Sequence, residues 1–192
     1  MQMGFYFDQT RCTGCYACVV ACKDWHDVPA GPASWRRVAT LEQGEFPDLF
    51  VAFYTSSCYH CTEPSCVAAC PAGAITKGEK DGVVSVDREK CLGKDNCDLC
   101  LQACTYKSPQ FGAEPNAKMQ MCSLCPDRLE EGKKPICVAG CPMRALDAGP
   151  MDELVALYGD VKEAEGFTYS TELKPSIVFK PKVRSSVTGS QE

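Results

Sequence analysis

Long apolar runs are missing from this sequence. A membrane-crossing helix needs roughly 20 successive apolar residues, and the best stretch here, LFVAFY at 49–54, has only the length of a strand. The first residues, MQMGFYFDQTRC, lack the basic segment, apolar core and small-residue cleavage site of a secretory leader. Both absences lead to the expectation of a subunit that is soluble by itself, touching a membrane only through a partner and on either side of it. A basic excess is also lacking: 20 Lys and Arg stand against 25 Asp and Glu, a formal net charge of −5, which disfavours nucleic acid as a partner. Two histidines leave little room for a catalytic zinc site. Neither a GxGxxG turn nor a GxxxxGK[ST] loop occurs, so no phosphate cradle for a nucleotide is evident.

Cysteine, by contrast, is abundant, with 16 in 192 residues. Such a content means a disulfide scaffold or bound metal. The sixteen fall into four groups with none left over: Cys12, Cys15, Cys18 and Cys22; Cys58, Cys61, Cys66 and Cys70; Cys91, Cys97, Cys100 and Cys104; Cys122, Cys125, Cys137 and Cys141. Each group ends in a cysteine followed four positions later by another: CVVAC, CVAAC, CLQAC, CVAGC. This fourfold internal repeat is the main organising signal. The segments FYFDQTRC and VVSVDREKC each lead from strand-forming residues through an Asp turn into a group, and LFVAFYTSSC supplies a third strand. The small apolar residues within the closing CxxxC of the first three groups suit the first turn of a helix. The unit is therefore strand, cysteine-rich loop, short helix.

Disulfides would call for an oxidising compartment, and a tetrahedral zinc site takes two close pairs of ligands rather than three cysteines at CxxCxxC spacing. The first group instead matches the bacterial ferredoxin run C-x2-C-x2-C-x3-C, whose fourth cysteine ligates the other cluster of a pair. Pro71 and Pro142 follow Cys70 and Cys141 in CPAGAI and CPMRAL, where Pro halts the helical turn and the aliphatic residue packs toward the clusters. After Cys22 and Cys104 the chain reads KDW and TYK and continues into longer segments. Four thiolates per cubane give four [4Fe–4S] clusters. The spacing leaves open which fourth cysteine joins which cluster, because four groups can be paired in three ways. With every cysteine assigned, none remains as a nucleophile, and the chemistry expected is electron transfer between partners rather than catalysis.

Over roughly residues 4–180 the chain resembles the four-cluster iron–sulfur subunits of DMSO reductase-type molybdopterin oxidoreductases. The resemblance rests on the four groups in order, on CTEPSCVAACPAGAI, on the gap between Cys125 and Cys137, and on the ending CPMRALDAGPMDELVALYG. It implies an α+β fold of two pseudo-symmetric bacterial-ferredoxin-like halves. One half comprises 1–48 with 105–149 and the other 49–104, followed by a C-terminal helix and an extended partner-binding tail over 150–192. It also implies a pairing: Cys12, Cys15, Cys18 and Cys141 on a first cluster; Cys22, Cys122, Cys125 and Cys137 on a second; Cys58, Cys61, Cys66 and Cys104 on a third; Cys70, Cys91, Cys97 and Cys100 on a fourth. The implied partners are a molybdenum or tungsten catalytic subunit facing the first pair and a quinone-reacting membrane subunit facing the second, as in anaerobic respiration. The competing reading is a polyferredoxin, or the cluster subunit of an aldehyde- or acyl-CoA-type oxidoreductase without a quinone partner. Group three departs from the family, since five residues, LGKDN, separate Cys91 from Cys97 where two are usual. Four cysteines are still present there, so [4Fe–4S] rather than a three-iron cluster is expected.

Other residues read more plainly. His60, inside CYHC, is expected beside a cluster or at the surface, and Trp25 and His26 are expected to pack beneath the first pair. WRR at 35–37 reads as surface or interface charge, and Lys107 and Lys118 as solvated or as offsetting the charge of reduced clusters. A helix is expected within 149–160, with Pro150 near its start and Gly159 past its end. The isolated run SIVF is expected to lie extended over a partner, with disorder beyond about residue 184.

Overall fold

The computed structural model describes residues 1–184; the expected disorder falls outside that range. At the centre is a strand, β1 (Met3–Asp8), buried at every position. Its neighbours explain why it lacks the alternation of a half-exposed strand. β6 (Leu146–Pro150) pairs with it antiparallel and β7 (Ile177–Lys180) pairs parallel on the other side. Both faces are then covered: Phe5 and Phe7 enter the main core, while Tyr6 packs with Leu154 and Val178. Burying each such ring contributes about 1.5–3 kcal/mol. Two hairpins complete the strands, β2 (Arg37–Gln43) with β3 (Phe50–Ser56) and β4 (Ile75–Lys77) with β5 (Val84–Val86).

The short helices carry the repeat seen in the sequence. They are α1 (Ala17–Trp25), α2 (Ser65–Ala68), α3 (Leu99–Ala103) and α5 (Ile136–Ala139), and in each the second residue is the third cysteine of a group: Cys18, Cys66, Cys100, Cys137. The helix was expected behind three groups and is found behind all four. Pro71 and Pro142 follow directly on the fourth cysteines, whereas α1, without a proline, runs nine residues to Trp25. α3 stops without one, because Cys104 turns extended at φ −87° and ψ 110°. A further turn, α4 (Pro126–Glu130), fills the gap inside group four, with Pro at its start where a missing N–H costs nothing. α1 packs on α5 beside β1 and β6; α2 packs on α3 beside β4 and β5.

The last helix, α6 (Met151–Tyr158), lies where expected, with Pro150 before it and Gly159 (φ +87°) after it. It packs through Leu154 and stacks Tyr158 on Tyr6 at 3.7 Å, while Leu157 faces outward. The SIVF expectation needs correcting. Ile177, Val178 and Phe179 are buried as β7 beside β1, because the connecting segment folds back across the core. Phe167 of that segment stacks on Tyr106 and touches Phe179. Among the described residues no helix is long and apolar enough to cross a membrane.

Candidate metal centres

All sixteen cysteine side chains are unbridged. Three of the compact cavities in the molecule are each ringed by four of them, and in every case the four come from two groups. One is bounded by Cys12, Cys15, Cys18 and Cys141, a second by Cys58, Cys61, Cys66 and Cys104, and a third by Cys70, Cys91, Cys97 and Cys100. The three are nearly equal in size. Leu146 and Ile75, the aliphatic residues of CPMRAL and CPAGAI, line the first and third. The remaining four thiols gather on α1, the 122–125 loop and α5. Burial pushes the Cys22 thiol up, and its neighbours Cys122, Cys137 and Cys125 raise it further.

Burial likewise raises five further thiols, with Cys66 and Cys125 pushed up to about 11 and Cys61, Cys100 and Cys122 to about 12. Each therefore holds its proton until a metal displaces it. Backbone N–H groups offset part of this cost by pointing at sulfur. Ala74 donates to Cys70 Sγ at 3.3 Å and Ala145 to Cys141 Sγ at 3.4 Å, which shows what the small residue after Cys-Pro-x-x does: its buried amide reaches back to the thiol. His60, Ser108 and Met119 donate in the same way to Cys58, Cys104 and Cys91, each at 3.4 Å. Soft thiols placed around a void suit a cubane. Among the described residues, no three Cys, His, Asp or Glu side chains converge as a single metal ion requires. The residues present therefore fit [4Fe–4S] clusters.

The long gap in group three leaves Leu92 lining its cavity and is otherwise absorbed in a turn. Residues 92–96 form a turn held against 116–118: Lys94 N–H donates to Ala117 O, Asn116 Nδ2 to Leu92 O at 3.1 Å, and Asp95 N–H to Asn116 Oδ1 at 3.3 Å. Gly93 adopts φ +86°, and a Cβ there would collide with Asn116 Oδ1, so only glycine fits. Lys118 Nζ caps the Cys91 carbonyl at 2.6 Å, whereas Lys107 reaches only the Leu101 carbonyl.

Of the two places expected for His60, the one beside a cysteine cavity holds: it is fully buried next to Cys58, its Nδ1 accepts the Val84 N–H, so the proton sits on Nε2, and burial lowers its pKa to about 4. Two other expectations change. His26 does more than pack: its Nε2 lies 3.3 Å from Cys125 Sγ and its ring sits against Trp35. Trp25 is partly exposed, pinned by Asp127 at 2.7 Å and by Arg128 over its ring. WRR is not surface charge. Arg36 is only 3 % exposed, and Arg37 donates to the Tyr106 carbonyl. Sequence reasoning missed Arg36 because nothing in the local string distinguishes a solvated arginine from a buried one.

Residues 11–75 and 49–151 each match a family model described as a 4Fe-4S dicluster domain. The protein is 42 % identical over 196 aligned residues to the B-lettered component of the anaerobic dimethyl sulfoxide reductase of Escherichia coli, covering 98 % of this sequence and 93 % of that one. It is 38 % identical to the component of the same name from Haemophilus influenzae, with the same coverage. The B-lettered component of the sulfite dehydrogenase of Allochromatium vinosum is 36 % identical over 85 % of this sequence and 71 % of its own length. This protein belongs to the iron–sulfur family of those dimethyl sulfoxide reductase components, built from 4Fe-4S dicluster domains. It is thus a non-catalytic electron-transfer subunit with four [4Fe–4S] clusters, two per dicluster domain.

Proposed function

We propose that this subunit conducts single electrons between a molybdopterin (molybdenum or tungsten) catalytic subunit and a quinone-reacting membrane subunit. The observation that carries the proposal is the set of three cavities, each completed by a cysteine from a different group than its other three. On this reading Cys12, Cys15, Cys18 and Cys141 hold the first cluster, Cys22, Cys122, Cys125 and Cys137 the second, Cys58, Cys61, Cys66 and Cys104 the third, and Cys70, Cys91, Cys97 and Cys100 the fourth. When bound, each cluster supplies a site that accepts and releases one electron. The protein's own residues supply thiolates, amide dipoles aimed at sulfur and an apolar lining that keeps water off.

The two halves are 1–48 with 105–149, and 49–104. The packing of α1 on α5 and of α2 on α3, each beside its own strand pair, supports this division, although the matched family ranges are contiguous and cut across it. The β2–β3 hairpin ties one half to the other. Cys58 and Cys122 are close enough for the Cys122 thiolate to raise the Cys58 pKa, which supports a crossing between halves from the second cluster to the third. The relatives are named as lettered components of a reductase and of a dehydrogenase, which supports a catalytic partner subunit, and the first pair of clusters is proposed to face it.

Anaerobic purification from the native host tests the proposal. The expected result is co-purification with a stoichiometric molybdopterin subunit; a protein isolated alone, fully loaded with iron, would favour a free polyferredoxin. The pairing is tested by spectroscopy of serine variants. Cys141→Ser and Cys15→Ser are expected to disturb one and the same centre, and Cys104→Ser and Cys61→Ser another.

A further inference from the structure

Arg36 is a buried charge, only 3 % exposed, and among the described residues no carboxylate lies within ion-pair distance of it. Its hydrogen bonds go to two neutral hydroxyls, Thr55 Oγ1 at 3.2 Å and Ser57 Oγ at 3.0 Å, and its guanidinium lies 4.8 Å over the centre of the Phe5 ring. A buried cation left like this is expensive unless an anion faces it. The groups able to be that anion are the nearby thiols. Thr55 Oγ1, which receives the Arg36 bond, also lies 3.9 Å from Cys18 Sγ. Burial would lower the Arg36 pKa, yet the negative charge that Cys137, Cys18, Cys122 and Cys22 carry once deprotonated more than reverses that and holds it above its ordinary value. None of the thiols ringing the cavities of Cys58 or Cys70 acts on it as strongly. Four thiolates around an iron–sulfur core leave a net anion, and reduction adds to the negative charge.

We propose that Arg36 is a built-in counter-cation for the first and second clusters, raising the reduction potentials of those two centres relative to what their thiolates alone would set. The inference rests on the ligand assignment given under the proposed function. Arg36 is a charge-placing residue, reaching the clusters through space and through Thr55, and is itself no ligand.

The test uses the whole protein, loaded with clusters, carrying Arg36→Met or Arg36→Lys. Each variant is assayed for iron and titrated potentiometrically by electron paramagnetic resonance. In Arg36→Met the reduced-to-oxidised ratio of two centres at fixed solution potential is expected to fall at least tenfold, which is 59 mV for a one-electron couple. The other two centres should move far less. Arg36→Lys keeps the charge and should keep all four ratios within about threefold, an interval well inside that tenfold step. Iron loss in Arg36→Met with full loading and wild-type ratios in Arg36→Lys also supports the inference, since lysine restores the cation without the planar fork of the guanidinium. Full loading with no ratio changed in Arg36→Met overturns it while leaving the cluster reading intact. So does an equal fall in all four centres, or the same defect in both variants, either of which assigns the guanidinium to holding Thr55 and Ser57 in place. Iron-free wild-type protein would overturn the cluster reading itself, before Arg36 is reached.

Discussion

Between Cys12 and Cys15 the backbone turns at Gly14, whose φ is +67° and whose absent Cβ would collide with the Phe53 ring. A side chain there meets both the left-handed backbone penalty and the ring, so Gly14→Ala is expected to destabilise by about 1–2 kcal/mol. The loaded protein should lose its visible absorbance at lower temperature, beginning with the centre nearest Cys12. Asn116 is a second such residue, because it carries the turn that absorbs the longer Cys91–Cys97 gap. Removing its amide in Asn116→Ala should cost about 1 kcal/mol. A chelator should then strip the centre bounded by Cys91 and Cys97 faster than in wild type while leaving the other three at their wild-type rates, as followed by iron release. Ligand spacing was plain in the sequence at this scale because it is local. His26 and Arg36 were not, since a ring 3.3 Å from Cys125 or a guanidinium sealed behind Thr55 depends on segments far away in the sequence.

At the scale of elements, three of the four helix starts beside the third cysteines were readable from the small apolar residues after them, and the strands before the groups because their residues are β-branched or aromatic. β7 shows the limit. Four residues, Ile177–Lys180, carry no mark that separates a strand lying on another protein from one inserted beside β1. Only the return path past Phe167 decides it. Phe179 is buried in that strand, so Phe179→Ala is expected to cost about 3–5 kcal/mol. At roughly 2–4 °C per kcal/mol for a protein of this size, the thermal midpoint should fall by at least several degrees. A midpoint unchanged by that substitution would show that β7 adds little to the sheet.

For the whole molecule, the acid limit of stability follows from two carboxylates on the central sheet. Burial alone would raise Asp8, but the hydroxyl and amide of Thr10, with Lys180, hold it below its ordinary value of 3.8. Asp147 is treated alike, burial opposing the Lys134 bond, the Ala148 amide and the Tyr158 hydroxyl. Both folded values are depressed, so the unfolded state takes up protons first as the solution is acidified. The stability they add is complete above pH 3.8 and is lost as pH falls through the lower folded values. An Asp8→Asn, Asp147→Asn double variant should therefore show a flatter decline of its thermal midpoint between about pH 5 and pH 3, the window bracketing these carboxylates. The position of β7 has one more consequence, and it concerns birth rather than stability. A ribosome delivers every thiol before it delivers Ile177–Lys180, yet the sheet around β1 stays open on one flank until those residues arrive. A nascent polypeptide thus carries sixteen unprotected sulfurs on an unfinished sheet for longer than it would with that strand at the other end, open to oxidation in the meantime.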